Sequence, residues 1–449
     1  MWGGDHIRSG VPIGRSPLFI LGAITVVALI VRLAPLRHSG TSWAMQPDSV
    51  KYIALANGLT AGCGFAQWAG RCGRAELERT PGYPLFLAAS RSLRSSIVAQ
   101  ALLGAGTCLM VGLYAWWRWG MIVGALSSLV LCLDVPSIVI GSSLVSEALF
   151  TTLLSGAIVL LLIGVSERVG ERGTSLIFFA AGCVLAVATM VRPIGETLFL
   201  VIPPWLLLAC DFDLRKTIRL SLLSLGIPMF VVLAWSYRNY RARGIWTISS
   251  QGAIQLYDYR EAGVIAALNG RTLGDVMIEL SGKTGGWDPD HPKEMEREAI
   301  RTMIAHPLIT AGMTLKGIAK NCFLPDRTDV ANLMNCTSAE VSATAGSIQK
   351  IKAAIGCPSV FALMIFQIIV TILTWSGIVL ALRYSRPGYK ELCLLLAVAA
   401  LLLLAAAGPE AYSRFRVPAM PMIAIAASYG WVALRRHAPS IRQGAEQAA

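Results

Sequence analysis

Long apolar blocks, rather than amphipathic stripes, run through this chain. An α-helix needs about 20 mostly apolar residues to cross a bilayer core. Ten stretches fit: 17–36, 96–116, 120–135, 144–165, 175–191, 194–210, 219–235, 360–382, 392–407 and 417–434. The third is short, and only Arg192-Pro193 parts the fifth from the sixth. The first block is too long for a signal peptide's apolar region and has no small-residue cleavage site, so it reads as a retained anchor. The predicted class is an all-α polytopic membrane protein, with short amphipathic helices in its outer loops.

Polar residues divide the chain into three parts. Residues 1–236 form an N-terminal module of seven spans whose first outer loop is 38–94. Residues 237–359 form a large outer segment, and 360–449 a C-terminal module of three spans. In the outer segment, 261–268, 293–305 and 307–319 have helical character, and an amphipathic stretch begins at Leu273. A polar turn region with Trp287 covers 282–292.

Basic residues in short loops set orientation. Arg8 and Arg15, then Arg118, Arg168, Arg172, Arg215, Lys216 and Arg219, then Arg383, Arg386 and Lys390, and finally Arg435, Arg436 and Arg442 all fall on one side. That side is expected to be cytoplasmic, with both termini on it. The two long segments then lie outside, where long translocated loops escape the charge rule.

Composition sharpens this. Lys plus Arg is 39 against 26 Asp plus Glu, a formal net charge of +13 among 449 residues, yet only 14% of residues are charged and 55% are hydrophobic. A soluble domain carries roughly 25% charged residues. An ordinary soluble enzyme, a disordered chain and a nucleic-acid binder are therefore excluded despite the basic balance. Loop arginines account for part of the surplus. The rest lies on the outer face, as an anionic ligand would require.

Cys108, Cys132, Cys183, Cys210 and Cys393 lie in or beside spans and read as small hydrophobes. Cys63 and Cys72 share the first outer loop, while Cys322 and Cys336 share the second, with Cys357 near the membrane. Such pairs can form disulfides in an oxidising compartment, and Cys63–Cys72 is the favoured one. No cysteine and histidine spacing suggests a zinc site.

The first outer loop carries the candidate chemistry. In Pro47-Asp48-Ser49-Val50-Lys51-Tyr52, apolar positions continue at helical spacing, and Asn57-Gly58 offers a stop. This predicts a short helix on the membrane surface. Two readings of Asp48 stand side by side: an N-cap accepting backbone N–H bonds, or a general base. Arg79-Thr80-Pro81-Gly82-Tyr83-Pro84-Leu85 follows, with a helix start at Thr80-Pro81 that places Arg79 where an anion is favoured. An ordinary solvated loop arginine is the alternative.

These two motifs resemble those of the GT-C glycosyltransferases, within them the protein mannosyltransferase and aminoarabinose-transferase group of bacteria. Four later landmarks follow in the same order: Ser146-Glu147-Ala148, Arg192-Pro193, Trp235-Ser236-Tyr237-Arg238-Asn239-Tyr240, and Ser413-Arg414-Phe415-Arg416-Val417-Pro418. Each motif is unspecific by itself; the ordered set covers most of the chain.

The resemblance implies an inverting transfer of a hexose or pentose from a polyprenyl-phosphate donor to a cell-envelope acceptor. The acceptor would be a glycolipid, a polysaccharide or a protein, and the site would face the periplasm of a bacterial inner membrane. Asp48 takes the family's base position. Many relatives place a second acidic residue beside it, where this chain has Pro47 and Ser49, so no metal ligand is assigned and divalent-metal dependence has no support.

Arg79, Arg238, Arg414 and Arg416 are the candidates for the donor phosphate, since guanidinium forks match phosphate oxygens. Snorkelling to lipid headgroups is their alternative role. Tyr52, Tyr83 and Glu147 are candidates for the sugar or acceptor pocket. Helical spacing pairs Arg192 with Glu196 and Glu410 with Arg414. Two other functions fit a polytopic chain: a flippase for a lipid-linked sugar, or a silent assembly subunit. Paired halves and mid-span breaks, typical of transporters, are absent from the pattern.

Overall fold

A computed structural model describes residues 15–446 except 39, 285–290, 324–329, 332–333, 335–356 and 385–387. It is an all-helical bundle with one small hairpin. Among the described residues, seven helices are long and apolar enough to cross a membrane: Pro17–Arg37, Leu93–Trp119, Glu147–Gly164, Glu171–Val191, Leu214–Arg243, Pro358–Tyr384 and Ser413–Arg435. The three remaining stretches are helical in other ways. Met121–Leu133 and Val135–Gly141 meet at a bend of 61°. Pro193–Ala209 begins in a 3-10 turn and holds Pro203 and Pro204. Tyr389–Ala405 spans 17 residues.

The bundle is apolar on its outside as well as within. Phe19, Ile30, Leu222, Phe230 and Leu382 are exposed on span faces, as a lipid environment allows and water would not. Where helices meet, small residues bring backbones close. Gly377 and Gly430 lie in the contact between Pro358–Tyr384 and the final helix Met420–Glu446. A Cβ at either would collide with the facing backbone, the small-residue packing expected where lipid removes the hydrophobic drive.

The 61° bend has a clear cause. Asp134 caps the second helix, accepting from the N–H and hydroxyl of Ser137, and Pro136 enters the first turn. The buried Asp134 also accepts from Arg416 Nη2 at 2.9 Å and Gln367 Nε2 at 3.1 Å. Arg416 further donates to the Cys322 carbonyl at 2.8 Å. Three distant parts of the bundle are fastened at this point.

Outside the spans, Pro47–Thr60 forms the first-loop helix. It runs through Asn57-Gly58 rather than stopping there, because Gly58 lets Trp68 pack against the helix. Trp68 belongs to a hairpin of Ala66–Trp68 and Cys72–Ala75, closed by the Cys63–Cys72 disulfide. Cys357 is also disulfide-bonded, Cys322 is a buried free thiol, and Cys336 lies outside the described residues. Leu214–Arg243 has 30 residues, about 45 Å at 1.5 Å per residue. It therefore projects past the membrane before Gly244, at φ +72°, ends it.

The second outer segment folds over this end through Ala262–Asn269, Leu273–Thr284, Pro292–Ala305 and Pro307–Phe323. Most of these share a small core of Tyr257, Ala262, Ala266, Val276, Leu280, Met295 and Ala299.

Replacing Arg416 by Gln should destabilise the protein by about 3–5 kcal/mol, because it leaves Asp134 as an uncompensated buried charge. Adding Asp134→Asn should restore part of that loss. Thermal unfolding of the single and double variants measures the coupling, and strictly additive losses would refute it.

Candidate active site

Asp48 occupies the second position of its helix, and Gln46 occupies the cap. A capping box of Gln46 and Ser49 serves the helix end. The N-cap role thus falls to Gln46, and the Asp48 side chain is free to point elsewhere. Ser49 also donates to the Leu144 carbonyl at 2.8 Å, which docks the helix onto the start of the fourth span.

Two arginines meet Asp48. Arg79 Nη2 donates to Oδ1 at 2.7 Å, and Arg414 Nη2 donates to Oδ2 at 2.6 Å. Arg414 Nε donates in turn to buried Glu147, which Arg192 reaches at 2.7 Å. The result is an alternating chain of charges, Arg79–Asp48–Arg414–Glu147–Arg192. A branch runs from Arg79 to Glu78 at 2.9 Å, and Glu78 also pairs with Lys51. Glu76 holds the backbone N–H groups of Glu78 and Arg79 at 2.8 and 3.0 Å, which fixes the approach of Arg79.

Two helical-spacing expectations fail here. Arg192 turns to Glu147 and Ser146 rather than to Glu196. Glu410 stands 3.8 Å from Arg260, while Arg414 is committed to Asp48, Glu147 and Tyr412. Both arginines begin 3-10 segments or lie at their edge, where residues four apart do not share a face.

Four groups of the charged chain form one wall of a cavity of about 540 Å³, and Glu147, expected in the pocket, lies outside its lining. Asp48, Lys51, Glu78, Arg79, Arg192 and Arg414 line it, and Gln255, Tyr259, Glu410 and Tyr412 face it from the outer segment and the last loop.

The other expected residues lie outside the lining. Arg238 donates to the Glu76 and Phe65 carbonyls and stacks on Trp235 at 4.9 Å, bracing the hairpin. Arg416 is held in the Asp134 cluster. Tyr52 and Tyr83 form a buried T-shaped pair behind the wall, with ring centroids 4.8 Å apart. Tyr52 bonds Ser146, and Tyr83 donates to Gln100 at 2.6 Å. Their part is to back Arg79, which lies 5.0 Å over the Tyr52 ring. Among the described residues, no group of three or more His, Cys, Asp or Glu is placed to hold a metal ion.

No family model and no curated protein matches the sequence. Solved structures do match. The archaeal oligosaccharyltransferase AglB from Archaeoglobus fulgidus, in complex with an inhibitory peptide and a dolichol-phosphate, superposes at TM-score 0.54 and 12% identity. That match covers 97% of this chain and 52% of AglB. Apo oligosaccharyltransferase from the same organism gives 0.52 at 13%, over 96% and 52%. ArnT from Cupriavidus metallidurans bound to undecaprenyl phosphate gives 0.45 at 15%, over 96% and 81%.

The fold is similar to that of the archaeal oligosaccharyltransferase AglB. The match spans about half the length of AglB. At these identities it speaks to the fold alone. The charged end of the bundle is built from residues far apart in sequence, and three of them were not singled out beforehand, Glu78, Tyr259 and Arg260, while Glu410 was named only as a helical-spacing partner of Arg414. Glu78 carried a visible signal, because it directly precedes the Arg79 motif.

Burial raises the Asp48 carboxyl, but the charges of Arg79 and Arg414 outweigh it and hold the group well below the usual aspartate range. A folded value below the unfolded one means the pairs stabilise the protein above the unfolded pKa. That support is lost as the pH falls through the folded value. Wild-type protein should therefore lose thermal stability on acidification below about pH 4. Asp48→Asn should flatten that limb, whereas parallel acid limbs would show that the pairs contribute nothing.

Proposed function

We propose that this chain is an integral-membrane glycosyltransferase. It moves a sugar from a polyprenyl-phosphate donor to an envelope acceptor at the end of the bundle that bears Asp48. The observation that carries this reading is one carboxylate gripped by two guanidiniums at the edge of a large cavity beside the membrane. The GT-C fold supports it, as does AglB having been solved with a dolichol-phosphate and a peptide. The basic loops at the opposite end favour a periplasmic or outer-face site, with both termini cytoplasmic.

In this reading the donor phosphate enters among Arg79, Arg192 and Arg414, whose guanidiniums already converge on the cavity. An acceptor hydroxyl attacks the anomeric carbon, and the bond from that carbon to the phosphate oxygen breaks. The phosphate leaves with the electron pair, stabilised by the arginines. The hydroxyl proton goes to Asp48.

The same arginines explain how a depressed carboxylate can act as a base. The phosphate competes for their N–H groups, so binding the donor frees Asp48 from the cations that suppress its basicity. Base activation is thus tied to donor occupancy, and an empty site holds no strong base.

Asp48→Asn should reduce sugar transfer in membranes at least about 100-fold, and near wild-type transfer would rule out the base role. Arg79→Ala and Arg414→Ala should each weaken binding of farnesyl phosphate by about 1.5–3 kcal/mol. Unchanged affinity in both, measured on purified protein, would remove them from the site.

A further inference from the structure

The cavity has a second polar feature, away from Asp48. Glu410 lines it with a side chain that is 9% exposed, and Oε2 is buried with no hydrogen-bond partner among the described residues. Arg260, next in sequence to the lining residue Tyr259, stands beside Glu410. Its Nη2 is anchored on the Ala405 carbonyl, and its Nε, ion-paired with Glu410, is buried with no hydrogen-bond partner among the described residues. The gap from Arg260 Nε to Glu410 Oε1 is 3.8 Å, too long for a direct hydrogen bond. Burial pushes the Glu410 carboxyl above the usual range, against the pull of a backbone hydrogen bond and of Arg260 and Lys320.

A buried donor and a buried acceptor left apart are costly unless a ligand or water completes them. One hydroxyl does both: it donates to the carboxylate and accepts from the guanidinium. An ammonium can only donate and a carboxylate only accept. Tyr259 and Tyr412 line the cavity beside Glu410, and Phe415 packs edge-on against Tyr412 with centroids 4.9 Å apart. Aromatic faces beside such a polar pair suit the ring of a sugar.

We propose that Glu410 and Arg260 form the sugar-recognition subsite of this cavity. They take one hydroxyl of an uncharged sugar between them and select against sugars bearing a carboxylate. Glu410 is then a specificity-determining residue. The inference rests on the lipid-phosphate reading above and names its substrate class. Gly408 is part of the subsite, since a Cβ there would collide with both carboxylate oxygens of Glu410.

The test uses purified full-length protein in nanodiscs. The probes are farnesyl phosphate and its glucosyl, mannosyl, galactosyl, xylosyl, aminoglucosyl and glucuronyl derivatives. At least one neutral glycosyl derivative should bind about tenfold tighter than farnesyl phosphate, and the glucuronyl derivative no tighter. Glu410→Gln and Gly408→Ala should each abolish that advantage while leaving the Kd for farnesyl phosphate within about twofold. Thermal unfolding checks that both variants fold, and Gly408→Ala keeps the test alive should Glu410→Gln fail to.

An advantage that survives both variants would mean the gap holds only water, and would overturn the inference. So would tightest binding of the aminoglucosyl or glucuronyl derivative. Failure of the wild type to bind farnesyl phosphate at all would overturn the underlying reading and this inference together.

Discussion

The carboxylate of Asp48 depends on two guanidiniums, and much of the molecule is arranged to bring them there. Arg414 lies 366 residues away in sequence, and Arg79 lies 31 away on a different structural unit. The link continues through Glu147 to Arg192, so one alternating run of charge joins the first-loop helix, the loop after the hairpin and three spans. Each neighbour in that run compensates the next. A buried charge without such a partner costs several kcal/mol, so removing any of the five groups leaves its neighbours less well compensated.

Several fold features serve that end. The capping box at Gln46 and Ser49 relieves Asp48 of a capping duty. The Cys63–Cys72 bridge and the Arg238 contacts hold the hairpin, and Glu76 positions the backbone of Arg79. Elsewhere in the bundle, Asp134 and Arg416 repeat the principle as a fully buried pair. The contrast separates two uses of buried charge. The Asp134 pair is sealed and holds helices together, while the Asp48 pairs border a cavity and can exchange partners with an incoming anion.

Much of this was legible in the amino-acid sequence. Of the ten apolar blocks, seven match helices long and apolar enough to cross a membrane, while 120–135 falls in the bent pair and 194–210 and 392–407 fall in shorter helices; residue order placed Asp48, Arg79, Arg414 and Glu147 at one end of the bundle. Helical spacing misled where the chain is not α-helical. The 3-10 segments Pro193–Leu200 and Ser413–Ala419 rotate Arg192 and Arg414 away from Glu196 and Glu410 toward a shared partner, Glu147. Tyr52 and Tyr83 have the chemistry of a sugar pocket, yet tertiary packing turns them into the wall behind Arg79. Glu410 and Arg260 meet only because the second outer segment folds back over the bundle, a long-range contact that no local pattern encodes. The net charge of +13 likewise takes a new meaning: Arg79 and Arg414 are already paired with Asp48, and in the proposed reaction an incoming anion exchanges those partners.

The central claim is that a phosphate and Asp48 compete for the same guanidiniums. A structure of the protein in nanodiscs with farnesyl phosphate tests it directly. The account predicts phosphate oxygens within hydrogen-bond reach of both Arg79 and Arg414, with Asp48 released from at least one of them. A phosphate bound elsewhere in the bundle, or bound with both Asp48 pairs intact, would contradict it.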